Sequence, residues 1–309
     1  MAKSKKQPRG IVMIAGGNSQ YYGNCAVNLC ASLRYKDKDI PITIFEHNNA
    51  IPLHRRTMLQ YAMKVDIQQL SEEACTDKTG RVNYYKAKTR IYDLSPYEHT
   101  LYLDADTLWL PSITPSAFFD KWESKDFDII NEGHYDLLTG EDHTTGFYTF
   151  WGDADTMLKR LGGTPKGDRL YQMRSELIYF KKTPANRVFF NKVKAVYDGP
   201  LTTMSLIGDK LPDEYAFNMA GLYTGVKPAT EKWYPMYWHF KHVLVHKRQL
   251  DRFAIMTDYM AYSVGGNKLN EVQKRFYNER VLGYFSVQGF ATPWKIVNKK
   301  DVLPDRVKL

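Results

Sequence analysis

Cysteine is scarce in this chain and long apolar runs are absent. The three cysteines, Cys25, Cys30 and Cys75, are odd in number and none forms a Cys-x-x-Cys pair. A disulfide framework is therefore not expected, and a reducing, cytosolic setting is. No hydrophobic stretch approaches the ~20 residues that a membrane-spanning helix needs. The basic start, Met1-Ala-Lys-Ser-Lys-Lys6, lacks the apolar centre of a signal peptide. Internal repeats, heptads and low-complexity segments are missing as well. Gly-x-Ser-x-Gly and Ser-x-x-Lys do not occur, so covalent serine chemistry has no support. Neither the Gly-x-Gly-x-x-Gly nor the Gly-x-x-x-x-Gly-Lys phosphate loop is present, which leaves Gly16-Gly17-Asn18 as a turn with only weak nucleotide-binding character.

What remains is an ordinary globular composition with a basic surplus. Of 309 residues, 43% are hydrophobic and 25% charged, enough for a substantial core and inconsistent with a disordered chain. The net charge is +9 and there are 22 tyrosines. A basic surface favours anionic partners such as nucleoside diphosphates or nucleic acid. The basic pairs Arg55-Arg56, Lys247-Arg248, Lys274-Arg275 and Lys299-Lys300 are scattered, whereas a nucleic-acid footprint would cluster on one face.

Strand-like and helix-like patterns alternate along the chain. After a disordered basic tail at 1–9, residues 10–15 form a first strand. Ala26, Leu29, Cys30 and Leu33 then mark one helical face, and residues 41–45 form a second strand. Tyr84, Ala87, Ile91 and Leu94 mark another helix, followed by strands at 101–103, 127–130 and 177–180. Residues 133–173 lack periodicity and read as a binding loop or lid. A helix over 185–196 stops at Gly199-Pro200, and another begins near Asp213. Further helices are expected at 248–262 and 268–280. This alternation predicts an α/β fold with a mostly parallel sheet flanked by helices and a C-terminal helical appendage. The expected division is a nucleotide-sugar-binding catalytic domain over 10–245 and a helical extension over 246–309.

Asp104 and Asp106 carry the chemistry. They follow the apolar strand Leu101-Tyr-Leu103 and precede Leu108-Trp-Leu110, so they sit at a strand end, where open α/β sheets bind ligands. Two carboxylates at i and i+2 suit a hard divalent cation, Mn²⁺ or Mg²⁺, that grips a diphosphate. His239, His242 and His246 lie downstream. His242 and His246 are four apart, but Val243 occupies the position where a zinc hydrolase carries Glu. An imidazole sharing an ion with the two aspartates is compatible with Mn²⁺.

Several blocks then occur in an order that resembles the GT-A fold nucleotide-sugar glycosyltransferases, and glycosyltransferase family 8 in particular. Asp104-Ala-Asp-Thr-Leu-Trp-Leu110 is close to that family's DADTLxL block, and Lys88-Thr-Arg-Ile-Tyr-Asp-Leu94 to its upstream helix. Tyr22 with residues 25–33 resembles its start. Arg174-Ser-Glu-Leu-Ile-Tyr-Phe180 and Leu211-Pro-Asp-Glu-Tyr-Ala-Phe-Asn218 stand where its two later blocks would be, and Trp238-His-Phe240 matches its metal histidine. Together the blocks span about three-quarters of the chain.

The resemblance implies that Asp104, Asp106 and His239 hold Mn²⁺ or Mg²⁺ and that a nucleotide sugar, expected to be a UDP-sugar, is the donor substrate. It implies that Tyr22 stacks on the base, that Lys88, Ser175 and Lys247 bind the donor, and that Asp213 faces its sugar, with Asp213 and Glu214 the candidates for any nucleophile. Plainer roles for three of these are a helix-surface lysine, a core tyrosine and a helix N-cap aspartate. Arg174, Glu176 and Glu214 depart from the family's Asn, Gly and Gln. The implied reaction is transfer of a hexose, with retention, to an acceptor hydroxyl, a saccharide being favoured over hydroxymethylated DNA. A nucleotidyltransferase and a non-catalytic nucleic-acid-binding module are rival readings.

Overall fold

The computed structural model describes residues 9–17, 21–144, 164–199, 212–228, 236–238, 252–263 and 277–281. The fold is α/β, with a mixed, mostly parallel sheet flanked by helices, as expected. Two compact units divide the chain. Unit 1 comprises Met1–Gly10, Leu70–Tyr102 and Glu123–Trp233, and unit 2 comprises Ile11–Gln69, Leu103–Trp122 and Tyr234–Leu309.

In unit 2, β1 (Arg9–Ala15), β2 (Ile42–Glu46) and β3 (Val65–Gln69) pair in parallel, with Ile11 opposite Ile42 and Ile42 opposite Val65. Residues 11–15 and all of β2 are buried, the continuous apolar pattern of strands covered on both faces. Parallel neighbours need a crossover, and the helix Tyr21–Lys36 supplies it. It buries the predicted Ala26, Leu29, Cys30 and Leu33 and ends on Arg34 and Lys36, cations that suit a helix C-terminus. β3 was not expected, because only Val65 of its residues is fully buried and its apolar signal is correspondingly thin.

A smaller sheet in unit 2 joins β5 (Thr107–Trp109), β9 (Ala261–Ser263) and β8 (Met236–Trp238) in the order β5-β9-β8. Here the structure corrects the helix expected at 248–262. The helix covers Arg252–Asp258, and the chain then turns extended. The cause is pairing: Leu110 N–H donates to the Met260 carbonyl (2.7 Å), and Ala261 and Ser263 oppose Trp109 and Thr107. A short apolar run fits either period, and only its partner decides. Of the helix expected at 268–280, the described part is a π-helical turn, Tyr277–Val281.

Unit 1 is built on β6 (Phe127–Asp136) and β7 (Arg169–Lys181), an antiparallel pair. The stretch 133–173 expected to be irregular therefore contains strand at both ends. Its polar, half-buried residues and Gly133 at φ 134° concealed the pattern. The Thr183 hydroxyl caps the helix Pro184–Asp198 by accepting from Asn186 N–H, with proline in the first turn. That helix buries Phe189 and Phe190 among Phe127, Phe180 and Tyr92. The helix predicted over 84–94 is two pieces, Tyr84–Lys88 and Ile91–Leu94, broken where Thr89 Oγ1 donates to the Lys86 carbonyl and Arg90 leaves helical geometry. Among the described residues no helix is long and apolar enough to cross a membrane.

One buried hydroxyl connects the crossover helix to β5. Ser32 Oγ donates to the Leu29 carbonyl (2.8 Å) and accepts from Trp109 N–H (2.9 Å). Ser32→Ala leaves that buried amide without its acceptor and is expected to cost about 1–3 kcal/mol. Urea unfolding measures it, and a midpoint equal to the parent's would show the bond to be dispensable.

Candidate functional site

The acidic pair lies in a turn of unit 2 made by Thr107. Its N–H (3.1 Å) and its hydroxyl (2.7 Å) both donate to the Asp104 carbonyl. The loop between β4 (His99–Leu103) and β5 is thereby closed over three residues. Ala105 is buried, while Asp104 and Asp106 on either side are half-buried, so the turn anchors on its alanine and holds its carboxylates near water.

Asp106 faces a cluster of weak acids. Tyr21, Cys25, Tyr262 and Tyr277 belong to one buried group with Leu108, Leu110 and Tyr237, and Tyr22 packs against it half-buried, edge-on to Tyr21 at 5.1 Å. Burial pushes the Tyr21, Cys25 and Tyr277 groups up, and the negative charge of Asp106 pushes each further. These groups stay neutral, and the charge they respond to is that of Asp106 itself. Two hard oxygen donors at i and i+2 have the chemistry that holds Mn²⁺ or Mg²⁺. Among the described residues no group of three metal-binding side chains is assembled. His239, the expected third ligand, lies outside the described residues, as do Lys247, His242 and His246.

Unit 1 carries a second, separate constellation around Lys88. The ammonium is buried at 5% exposure, so it must be surrounded by compensating groups. Asp213 Oδ2 lies 3.2 Å from Nζ, and Nζ donates to Ser175 Oγ at 3.2 Å. The faces of Tyr85 (5.8 Å) and Tyr102 (5.6 Å) enclose it, positions at which ring quadrupoles attract a cation. Lys88 is therefore not a helix-surface lysine. Asp213 is not the N-cap either: Pro212 holds that position without a side-chain cap, and Asp213 and Glu214 are the first two helical residues, where the helix dipole stabilises carboxylates. Asn218 Oδ1 accepts from Met173 N–H (2.8 Å) and ties this helix to β7.

β7 presents its side of the cluster through an irregularity. Ile129 pairs with Ile178, but the next residue, Ile130, pairs with Arg174, so Ser175, Glu176 and Leu177 fall within a register shift. Such bulges re-aim side chains and are over-represented next to active sites. Arg174 bridges two acids, with Nε 2.6 Å from Glu132 and Nη1 3.2 Å from Glu214. Burial pushes the Glu214 carboxyl up to about 8, with Arg174 and Lys88 opposing and Glu176 and Asp213 assisting.

Four sequence-selected residues, Lys88, Ser175, Asp213 and Glu214, thus meet in unit 1, and Asp104, Asp106 and Tyr22 belong to unit 2. Glu132, Tyr85 and Tyr102 were missed. Glu132 lies in a stretch with no periodic signal, and the two tyrosines read as ordinary apolar positions of their elements.

The raised Glu214 carboxyl has a consequence for stability. An unfolded glutamate ionises near ~4.3, whereas Glu214 holds its proton to about 8. Between those values the folded chain binds more protons than the unfolded one, so stability falls as pH rises through the window and levels off above it. Thermal melts from pH 5 to 8 should show a steeper loss in the parent than in Glu214→Gln; parallel slopes would contradict the shift.

Comparison with known proteins agrees with this fold. The family model described as "Mannosyltransferase putative" matches residues 8–130. No curated protein matches the chain. Among solved structures, the bifunctional glycosyltransferase WbbM in its apo form is similar, with a TM-score of 0.58 and 14% identity, covering 96% of this chain and 52% of that one. The present chain thus spans about half the length of the WbbM chain. The galactosyltransferase LgtC, in complex with donor and acceptor sugar analogs, is similar with a TM-score of 0.53 and 12% identity, covering 92% of this chain and 96% of that one. The chain has the GT-A fold of the nucleotide-sugar glycosyltransferases.

Proposed function

We propose that this chain is a divalent-metal-dependent glycosyltransferase that moves a hexose from a nucleoside-diphosphate sugar to an acceptor hydroxyl. The observation that carries the reading is the Asp104/Asp106 turn at the end of β4, two half-buried carboxylates in a backbone turn closed by Thr107. The GT-A fold supports it. Mannose is the hexose we favour, because the matching family model is described by that sugar. UDP remains the nucleotide we expect. The acceptor we favour is a saccharide, and retention of anomeric configuration is expected from the sequence resemblance.

Asp104 and Asp106 would hold Mn²⁺ or Mg²⁺, with His239 as a third ligand. When bound, that ion would neutralise the charge that develops on the leaving diphosphate. Tyr22 would offer a half-buried ring to the nucleotide base. Asp213 and Glu214, at the start of their helix, would accept or donate hydrogen bonds at the sugar. Lys88 is committed to Asp213 and Ser175, so its role is to hold Asp213 in place, with Lys247 left for the diphosphate.

Asp106→Asn should reduce Mn²⁺-dependent hydrolysis of the sugar nucleotide by at least ~100-fold while leaving the thermal midpoint close to the parent's. EDTA should produce the same loss in the parent. A screen of UDP- and GDP-hexoses, mannose included, measures both, and full activity in either arm would contradict the metal assignment.

A further inference from the structure

The acidic turn and the C-terminal part of the chain meet in one buried cluster of unit 2. Pairing of β5 with β9 places Tyr262 opposite Leu108, two residues beyond Asp106. The Tyr277 ring lies 5.6 Å from that of Tyr262, which in turn stacks on Tyr237 at 5.4 Å. Tyr277 is 1% exposed and shares the cluster with Tyr21, Cys25, Leu108 and Leu110. Every ring among the described members is a phenol, whereas unit 1 packs Phe127, Phe180, Phe189 and Phe190 together. Phenylalanine would meet the demands of packing alone, and a buried hydroxyl is costly unless it is hydrogen-bonded. The Tyr277 oxygen accepts a hydrogen bond from the side chain of Asn28, itself buried on the crossover helix. Accepting there leaves the Tyr277 O–H to be donated. Of the groups whose charge acts on it, Cys25 stays a neutral thiol that accepts from the Tyr21 hydroxyl, which leaves Asp106 as the anion.

We propose that Tyr277 is a positioning residue for Asp106: held by Asn28, its hydroxyl donates to the Asp106 carboxylate and fixes it in the orientation that receives the divalent cation. The C-terminal segment is then part of the cation site, not an appendage to it. The role of the ion rests on the metal-dependent reading above, whereas the contact between Tyr277 and Asp106 does not. A hydrogen bond to one oxygen of a ligating carboxylate orients the group and leaves the other oxygen for the ion. All of these residues belong to unit 2.

Tyr277→Phe keeps the ring and removes only the hydroxyl, so near-ultraviolet circular dichroism should stay close to that of the parent. Mn²⁺ binding to the full chain, followed by the electron paramagnetic resonance of the free ion, should weaken about tenfold in Tyr277→Phe. Asn28→Leu should weaken it in the same direction. Adding it to Tyr277→Phe should cost nothing further, because Asn28 acts through the hydroxyl. The metal-free protein supplies a second readout. With aspartate carboxyls labelled by ¹³C, the Asp106 resonance is identified by its absence from Asp106→Asn, and at fixed pH it should move in Tyr277→Phe. An Mn²⁺ affinity equal to the parent's in Tyr277→Phe, or an Asp106 resonance left in place, overturns the proposal. A parent that binds no Mn²⁺, or an Asp106→Asn variant that binds it as well as the parent, sinks the metal reading instead. The metal-free resonance then still decides the contact between Tyr277 and Asp106.

Discussion

A lysine ammonium taken out of water must be met by compensating groups, and much of unit 1 is arranged around that requirement. Lys88 draws Asp213 from one helix, Ser175 from the bulge of β7, and the rings of Tyr85 and Tyr102. Satisfying the cation fixes Asp213, and Asp213 fixes the start of its helix. Glu214 then follows in a position where burial, Glu176 and Asp213 oppose ionisation and Arg174 and Lys88 favour it. Arg174 answers the same demand from the other side by spanning Glu132 and Glu214. Removing one partner of a buried pair leaves an uncompensated charge, so these residues constrain one another more than their separation in sequence suggests.

Unit 2 solves the opposite problem. There the carboxylates Asp104 and Asp106 stay partly in contact with water, and the groups near Asp106 are weak acids that burial keeps neutral. Thr107 fixes the backbone of the turn through the two hydrogen bonds that it donates to the Asp104 carbonyl. One constellation buries its cations and acids together, and the other keeps its carboxylates partly in contact with water.

The parts of the fold that were legible were those with an uninterrupted signal. β1 and β2 are buried along nearly their whole length, and the Tyr21–Lys36 helix, buried continuously from Cys25 to Leu33, includes the Ala26, Leu29, Cys30 and Leu33 face that marked it. The register shift in β7 was not legible, because nothing in Arg174-Ser-Glu-Leu177 distinguishes a bulge from a regular strand. β9 escaped for another reason: its three residues become a strand only because β5 and β8 are there to pair with. At the site, Lys88, Ser175, Asp213 and Glu214 were selected from ordered motif blocks, yet their mutual contacts were not predictable from those blocks. Glu132, which competes with Glu214 for Arg174, sits in a polar stretch with no pattern to single it out.

The central claim is that the Asp104/Asp106 turn binds a nucleotide sugar through a divalent cation. Calorimetric titration of GDP- and UDP-mannose into the protein, with and without Mn²⁺, tests it most directly. The account predicts that at least one donor binds when Mn²⁺ is present and that its binding is lost on chelation. Equal affinity for that donor in the absence of metal, or no binding of either under both conditions, would contradict it.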